Sequence, residues 1–270
     1  MTLDLMKKAD WVRSEVIRII GKAKSGHIAG PVGMADVFTV LYYEFLNINP
    51  KKPLDKDRDY LVLSNGHICP VQYVVLADKG FFPKKELEKV RKLNNKLQGH
   101  PHRGTVPGLE TTSGPLGSGL SQAAGMALGL KRDNKTNRVV CITSDGEHQE
   151  GNNWEAVLFC NKYKLDNLIQ IVDRNNIQID GNTEEIMPLG NLKSKYESFG
   201  WKAIEIEGNN IDQIRSALSE ADNHKGSPVV IIANTIPGKG VSFMEHDYKW
   251  HGKPPSKEEA EKAMSELKWD

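Results

Sequence analysis

Five short runs rich in Val and Ile constrain this chain more than any other feature. They are YLVLS (60–64), RVVCITS (138–144), NLIQIVD (167–173), WKAIEIE (201–207) and PVVIIANT (228–235). Each has the length of a buried strand, and most are apolar throughout rather than alternating. A strand that is apolar on both sides must be covered on both faces. The stretches between them carry helical patterns: GLSQAAGMALGLK (119–131), NWEAVLFCNKYK (153–164) and NIDQIRSALSEADNH (210–224). Ahead of the first run, Leu5, Val12, Val16, Ile19 and Ile20 recur at helical spacing over 4–24. SGHIAGPVGMAD (25–36) then reads as a Gly-rich loop opening a second helix, MADVFTVLYYEFL, and the residues after 255 read as a surface helix. This alternation predicts an α/β fold: a doubly wound, mostly parallel sheet of about five strands flanked by helices. No repeat or low-complexity linker divides the chain, so residues 1–270 read as one domain with N-terminal helices and a C-terminal helical tail.

Charge is balanced, 36 Lys+Arg against 35 Asp+Glu. That removes the electrostatic case for nucleic acid or membrane partners. No apolar run approaches the roughly 18 residues of a membrane span. The N-terminus, MTLDLMKKADWVRSEVIRII, has no cleavable apolar stretch. Cys69, Cys141 and Cys160 have neither metal nor redox spacing and read as packed core thiols. Together these features predict a cytoplasmic protein without disulfides.

Ligands of open α/β sheets bind beyond the carboxyl ends of the strands. Four such ends carry polar or Gly-rich loops: Asn65-Gly66-His67, Asp145-Gly146-Glu147, Arg174-Asn175-Asn176 and Pro237-Gly238-Lys239-Gly240. Ser144-Asp145-Gly146 is followed, after 28 residues, by Asn175, with one helix and one strand between. That spacing places Asp145 and Asn175 at the same end of neighbouring strands. Either turn alone is an ordinary strand end. As a pair they offer a carboxylate and an amide carbonyl, the hard oxygens that Mg²⁺ or Ca²⁺ prefers. Gly146 allows close approach of a phosphate to the backbone, and a helix starting near Asn152 would point its positive end there. Four of the eight histidines, His27, His67, His100 and His251, stand beside glycines in loops. Imidazoles can both hydrogen-bond and move protons near neutral pH. His102, His148, His224 and His246 read as surface groups. TTSGPLGSG (111–119) is Gly-rich before a helix, but no strand precedes it, so a dinucleotide-binding reading fails.

SDG, QEG and DRNNIQIDG resemble the thiamine diphosphate motif of the transketolase family, with Ser144 where the family usually has glycine. SGHIAGPVGMAD, LSNGH, LQGHP, PGLETTSGPLGSGLSQAAGMALG and WHGKPP resemble further transketolase stretches, in the family's order and over nearly the whole chain. The resemblance implies that thiamine diphosphate and Mg²⁺ (or Ca²⁺) are the cofactors. It implies that Asp145 and Asn175 ligate the metal by side chains and Ile177 by its carbonyl, and that Gly146, His67 and His251 meet the diphosphate. Gly114, Pro115 and Leu116 would lie against the aminopyrimidine. His27, His100 and His251 would handle protons on the substrate, and Glu150 and Glu155 would form a relay between active sites. Pro237 stands where some members place a basic cofactor contact, which leaves Lys239 as the nearest substitute.

In transketolases the glutamate that activates the aminopyrimidine comes from a second domain, and only about 35 residues follow the last run here. The resemblance therefore implies a partner chain, a C-terminal transketolase subunit, in an α2β2 heterotetramer. The implied activity is transfer of a two-carbon ketol unit from a ketose phosphate to an aldose phosphate. The alternatives are a specialised split transketolase-like carboligase and the α subunit of a 2-oxoacid dehydrogenase. SGHIAGPVGMAD and LQGHP are not expected in the latter. A binding module without catalysis would have no need of His27, His100 and His251 together.

Overall fold

The computed structural model describes residues 2–269. All five runs form strands: β1 (Tyr60–Leu63), β2 (Val139–Ser144), β3 (Leu168–Arg174), β6 (Lys202–Glu207) and β7 (Val229–Asn234). A small antiparallel hairpin, β4 (Ile177–Gln178) and β5 (Gly181–Asn182), lies beyond β3. The main sheet is wholly parallel, in the order β1-β2-β3-β7-β6. Its helices are α1 (Thr2–Ala23), α2 (Ala29–Gly33), α3 (Ala35–Val40), α4 (Cys69–Lys79), α5 (Gly119–Arg132), α6 (Gly151–Lys162), α7 (Thr183–Ile186), α8 (Leu192–Ser198), α9 (Ile211–Asn223) and α10 (Lys257–Glu266).

The strands are apolar on both sides because there are two cores, one per face. Leu61, Leu63, Val140, Ile142, Ile169, Ile171, Val229 and Ile231 join the core formed with α1, α3, α4 and α9. The alternate residues Val62, Val139, Cys141, Leu168, Val172, Val230 and Ile232 join the core under α5, α6 and α8. The chain advances across the sheet from β1 to β3, skips to the edge at β6 and returns to β7. α9, on the returning connection, lies on the opposite face from α5, α6 and α8, as a constant crossover hand requires.

Three local differences from the sequence reading have physical causes. The predicted second helix is two short helices and a π-helical turn, Leu41–Phe45, and it begins earlier, at Ala29. Pro31 sits in that first turn, where no amide partner is needed. Gly33 lets α2 pack on the exit of β7, since a Cβ there would stand 2.8 Å from the Ile236 carbonyl oxygen. α4 has no counterpart in the sequence reading: Cys69 through Ala77 are all buried, so the run has no amphipathic period to read. The tail helix α10 is capped by a Ser256/Glu259 capping box. It is exposed on one side only, with Ala260 and Ala263 buried in the core that α1 also lines.

Candidate functional site

β2 and β3 run in register, Ser144 opposite Asp173, so Asp145 and the Arg174–Asn176 loop leave the sheet side by side. Asp145 is 1% exposed. One carboxylate oxygen accepts from its neighbour Gly146 N at 2.7 Å. The other accepts from Asn176 N at 2.7 Å and Arg174 Nη1 at 3.2 Å. Burial pushes the Asp145 carboxyl up to about 6, against the opposing pull of Arg174 and the two amides. Asn175 donates from its side chain to Asp173 at 2.9 Å and accepts from Ile177 N at 3.0 Å, which fixes its amide. Asp173, buried and bonded to the Thr235 hydroxyl, is pushed up to about 7 by burial and by the charge of Asp145. Asn176 takes a left-handed backbone (φ 62°), which asparagine tolerates.

The four glycine-flanked histidines also converge. His27, His67 and His251 form a triangle with ring centroids 4.9, 5.4 and 5.3 Å apart. A Cβ on Gly66 would stand 3.1 Å from the His100 ring and 2.5 Å from Ser113 Oγ, so His100 and the 111–119 loop adjoin the same strand end. Burial lowers His27 to about 4, helped by the charges of His251, His100 and Arg91. It lowers His251 to about 4 and His67 well below 6.5. His100 is lowered too, by partial burial and Arg91. The cluster is therefore neutral at pH 7 and able to accept protons. The two groups are joined by the hairpin: a Cβ on Gly252 would stand 3.0 Å from Ile179 Cδ1 and 3.8 Å from His27 Nε2.

The edge is equipped for a polar ligand. Among the described residues, buried His27 Nδ1, His251 Nδ1, Ser113 Oγ and both amide atoms of Asn65 have no hydrogen-bond partner. A Cβ on Gly114 would meet nothing within 4 Å, and one on Gly146 only the Gln178 side chain, at 3.8 Å or more. Pro115 and Leu116 are exposed beside Gly114. Asp145 is the one acid among the three expected metal ligands, and among the described residues no cluster of three or more His, Cys, Asp or Glu could hold a metal alone. That donor set fits a divalent ion sharing its shell with phosphate oxygens.

Not every expected residue joins this edge. Glu150 and Glu155 are exposed on the α6 side, Glu150 with its Cβ beneath Gly117 and Glu155 in a shallow cleft with Ser121, Gly125 and Phe159. Lys239 lines a different cleft of about 450 Å³, with Asp10, Arg13 and Asp36, and faces Glu245 at 3.6 Å. His148 corrects the surface reading: it is 2% exposed, between the Ser144 carbonyl and the Tyr196 hydroxyl, each at 2.7 Å, and burial lowers it to about 4. His102 and His246 are exposed and His224 is partly so. The sequence reading missed Glu147, Asp173, Arg174, Asn65 and Ser113 as site residues. Their signal was position alone, next to motif residues at strand ends. All three cysteines are buried and free, and among the described residues no helix is long and apolar enough to cross a membrane.

A parallel sheet that gathers buried carboxylates, an amide loop and four histidines at its carboxyl edge suits a hydroxylated ligand whose phosphates share a cation with the protein. Comparison with known proteins specifies the class. Residues 6–270 match the family described as transketolase, thiamine diphosphate binding domain. The chain belongs to this transferase family and comprises its thiamine diphosphate-binding domain. It is 38% identical over 266 residues to a subunit of the apulose-4-phosphate transketolase of Phocaeicola vulgatus, covering 98% of this chain and 94% of that one. It is 39% identical over 265 residues to the 6-deoxy-6-sulfo-D-fructose transketolase subunit SqwG of a Clostridium species, covering 98% and 96%. The solved transketolase of Campylobacter jejuni superposes with a TM-score of 0.94 at 33% identity, over 99% of this chain and 43% of that one. The chain thus spans about two-fifths of the solved transketolases it matches.

Proposed function

We propose that this chain is the cofactor-binding subunit of a two-chain transketolase, and that its 270 residues form one diphosphate-binding domain. The observation that carries the reading is what the most similar relatives are: two proteins 38% and 39% identical to this chain, matched over almost their whole length, are named as transketolase subunits. The second chain, a C-terminal transketolase subunit, supplies the activating glutamate, and two copies of each make an α2β2 assembly.

Within this chain, the Asp145 and Asn175 side chains and the Ile177 carbonyl hold Mg²⁺ (or Ca²⁺). Gly146, His67 and His251 face the diphosphate, and Gly114, Pro115 and Leu116 face the aminopyrimidine. Bound there, thiamine diphosphate supplies the carbon nucleophile of ketol transfer. His27, His100 and His251 orient sugar hydroxyls and exchange protons with them, as neutral imidazoles in a partly desolvated cluster can. Glu150 and Glu155, exposed on the α6 side, relay protons toward a second active site.

The reaction is transfer of a two-carbon ketol unit from a ketose phosphate to an aldose phosphate. A specialised sugar is the second reading, favoured by the relatives named for apulose-4-phosphate and 6-deoxy-6-sulfo-D-fructose. The test is a ketol-transfer assay of the purified chain with and without the co-purifying second chain. Activity is expected only in the mixture, and turnover by the chain alone would refute the division of labour.

A further inference from the structure

We infer that Glu147 is a positioning residue: its carboxylate latches the loop from Gly114 to Gly119 onto the carboxyl ends of β1 and β2, and so holds that loop for the cofactor. This deepens the proposed function and rests on it. Glu147 is 0% exposed, yet among the described residues it forms no ion pair with a basic side chain. Its partners are three donors from three segments. One oxygen accepts from Gly117 N at 2.6 Å and from the Ser64 hydroxyl, and the other from Ser144 N at 3.2 Å. Ser64 passes the link on, accepting from Gly119 N at 3.0 Å. Glycine is required at 119, where a Cβ would stand 2.3 Å from that of Ser64.

Both hydrogen bonds that tie the loop's amides to the strand ends therefore converge on one carboxylate. Upstream, Ser113 N is held by the Pro101 carbonyl at 3.1 Å. Between these anchors the loop is free: Gly114 has open space around it and Leu116 is 38% exposed. The face offered to a ligand is thus fixed mainly from behind, through Glu147. An acceptor-only group is needed there. In glutamine, whichever end carries the amide nitrogen would confront Gly117 N–H or Ser144 N–H, donor against donor.

The full-length chain carrying Glu147→Gln tests this. Hydrogen–deuterium exchange in the peptide covering 112–120 is expected to rise about tenfold, with β3 and β7 unchanged. In calorimetry with Mg²⁺, thiamine diphosphate affinity is expected to fall about tenfold, while inorganic pyrophosphate, which lacks the aminopyrimidine, binds as before. Ser64→Ala, which removes one donor to the carboxylate and the acceptor of Gly119 N but leaves the Gly117 and Ser144 bonds to Glu147, gives a change in the same direction and serves if the first variant does not fold. Unchanged exchange in 112–120, or an equal loss of affinity for both ligands, overturns the latch. Failure of the unsubstituted chain to bind thiamine diphosphate would strike the cofactor reading instead, and the exchange result would still decide the latch.

Discussion

Asp145→Asn changes one buried atom and isolates what its charge does. Both carboxylate oxygens accept from backbone amides, those of Gly146 and Asn176. Either orientation of the asparagine amide therefore sets its NH₂ against an N–H, and the pair with Arg174 is weakened. Leaving one buried donor unsatisfied costs about 1–3 kcal/mol. At about 2–4 °C per kcal/mol for a chain of this size, Tm falls by roughly 2–12 °C. The lower part of that range is expected. Burial holds the carboxyl up at about 6, so the charge itself disfavours the folded state above that pH, and the neutral variant is relieved of that. The cofactor effect is larger. The substitution removes the only formal negative charge from the proposed ligand set of Asp145, Asn175 and Ile177, so on that proposal Mg²⁺-dependent affinity for thiamine diphosphate falls at least about 100-fold, near 2.7 kcal/mol. Calorimetric titration with and without Mg²⁺ measures this, with melting curves as control. Cofactor plus metal should raise Tm in the unsubstituted protein and not in the variant. A folded variant with unchanged affinity and unchanged metal dependence would show that the cation is held elsewhere.

Two further outcomes follow from the buried charges. His27 and His251 are held down at about 4, so the unfolded chain binds more protons than the folded one between pH 6.5 and 4; their contribution to stability is complete above about 6.5 and is lost as pH falls toward 4. A diphosphate set against His67 and His251, both lowered by burial, favours their charged forms, so cofactor binding at pH 6, titrated in two buffers of different ionisation enthalpy, is expected to take up protons, and proton release would contradict the placement. Separately, buried Arg13 is paired with buried Asp36 and with the partly exposed Asp10, and Asn209 also donates to Asp36 at 2.7 Å. Arg13→Ala strands the Asp36 charge, which costs about 3–5 kcal/mol; a Tm drop of roughly 6–20 °C is expected, and one under about 2 °C would show that the pair carries no weight.

The strands were legible because their code is local. Each run is as long as a buried strand, and each appears within a residue or two of its expected ends. The Asp145/Asn175 pairing was legible for a related reason: strand, helix and strand of ordinary length return the chain to the same edge. α4 was not legible, because a helix buried on all sides shows no period. His148 was misread because Tyr196, which packs on its ring and meets its Nε2, lies 48 residues away. Glu147 could be read only as part of a polar strand-end loop, since neither Ser64 nor Gly117, which it binds, is near it in sequence.

The order of residues was enough to specify the α/β architecture, the family and the residue types offered at each strand end, because hydrophobic period and motif spacing are properties of neighbours along the chain. Packing had to settle the rest: that His27, His67, His100 and His251 meet, that their burial leaves them neutral, and that a lone carboxylate ties three segments together. Those facts depend on which distant atoms exclude water from a side chain and which donors reach it. Both are set by how the layers come together in space.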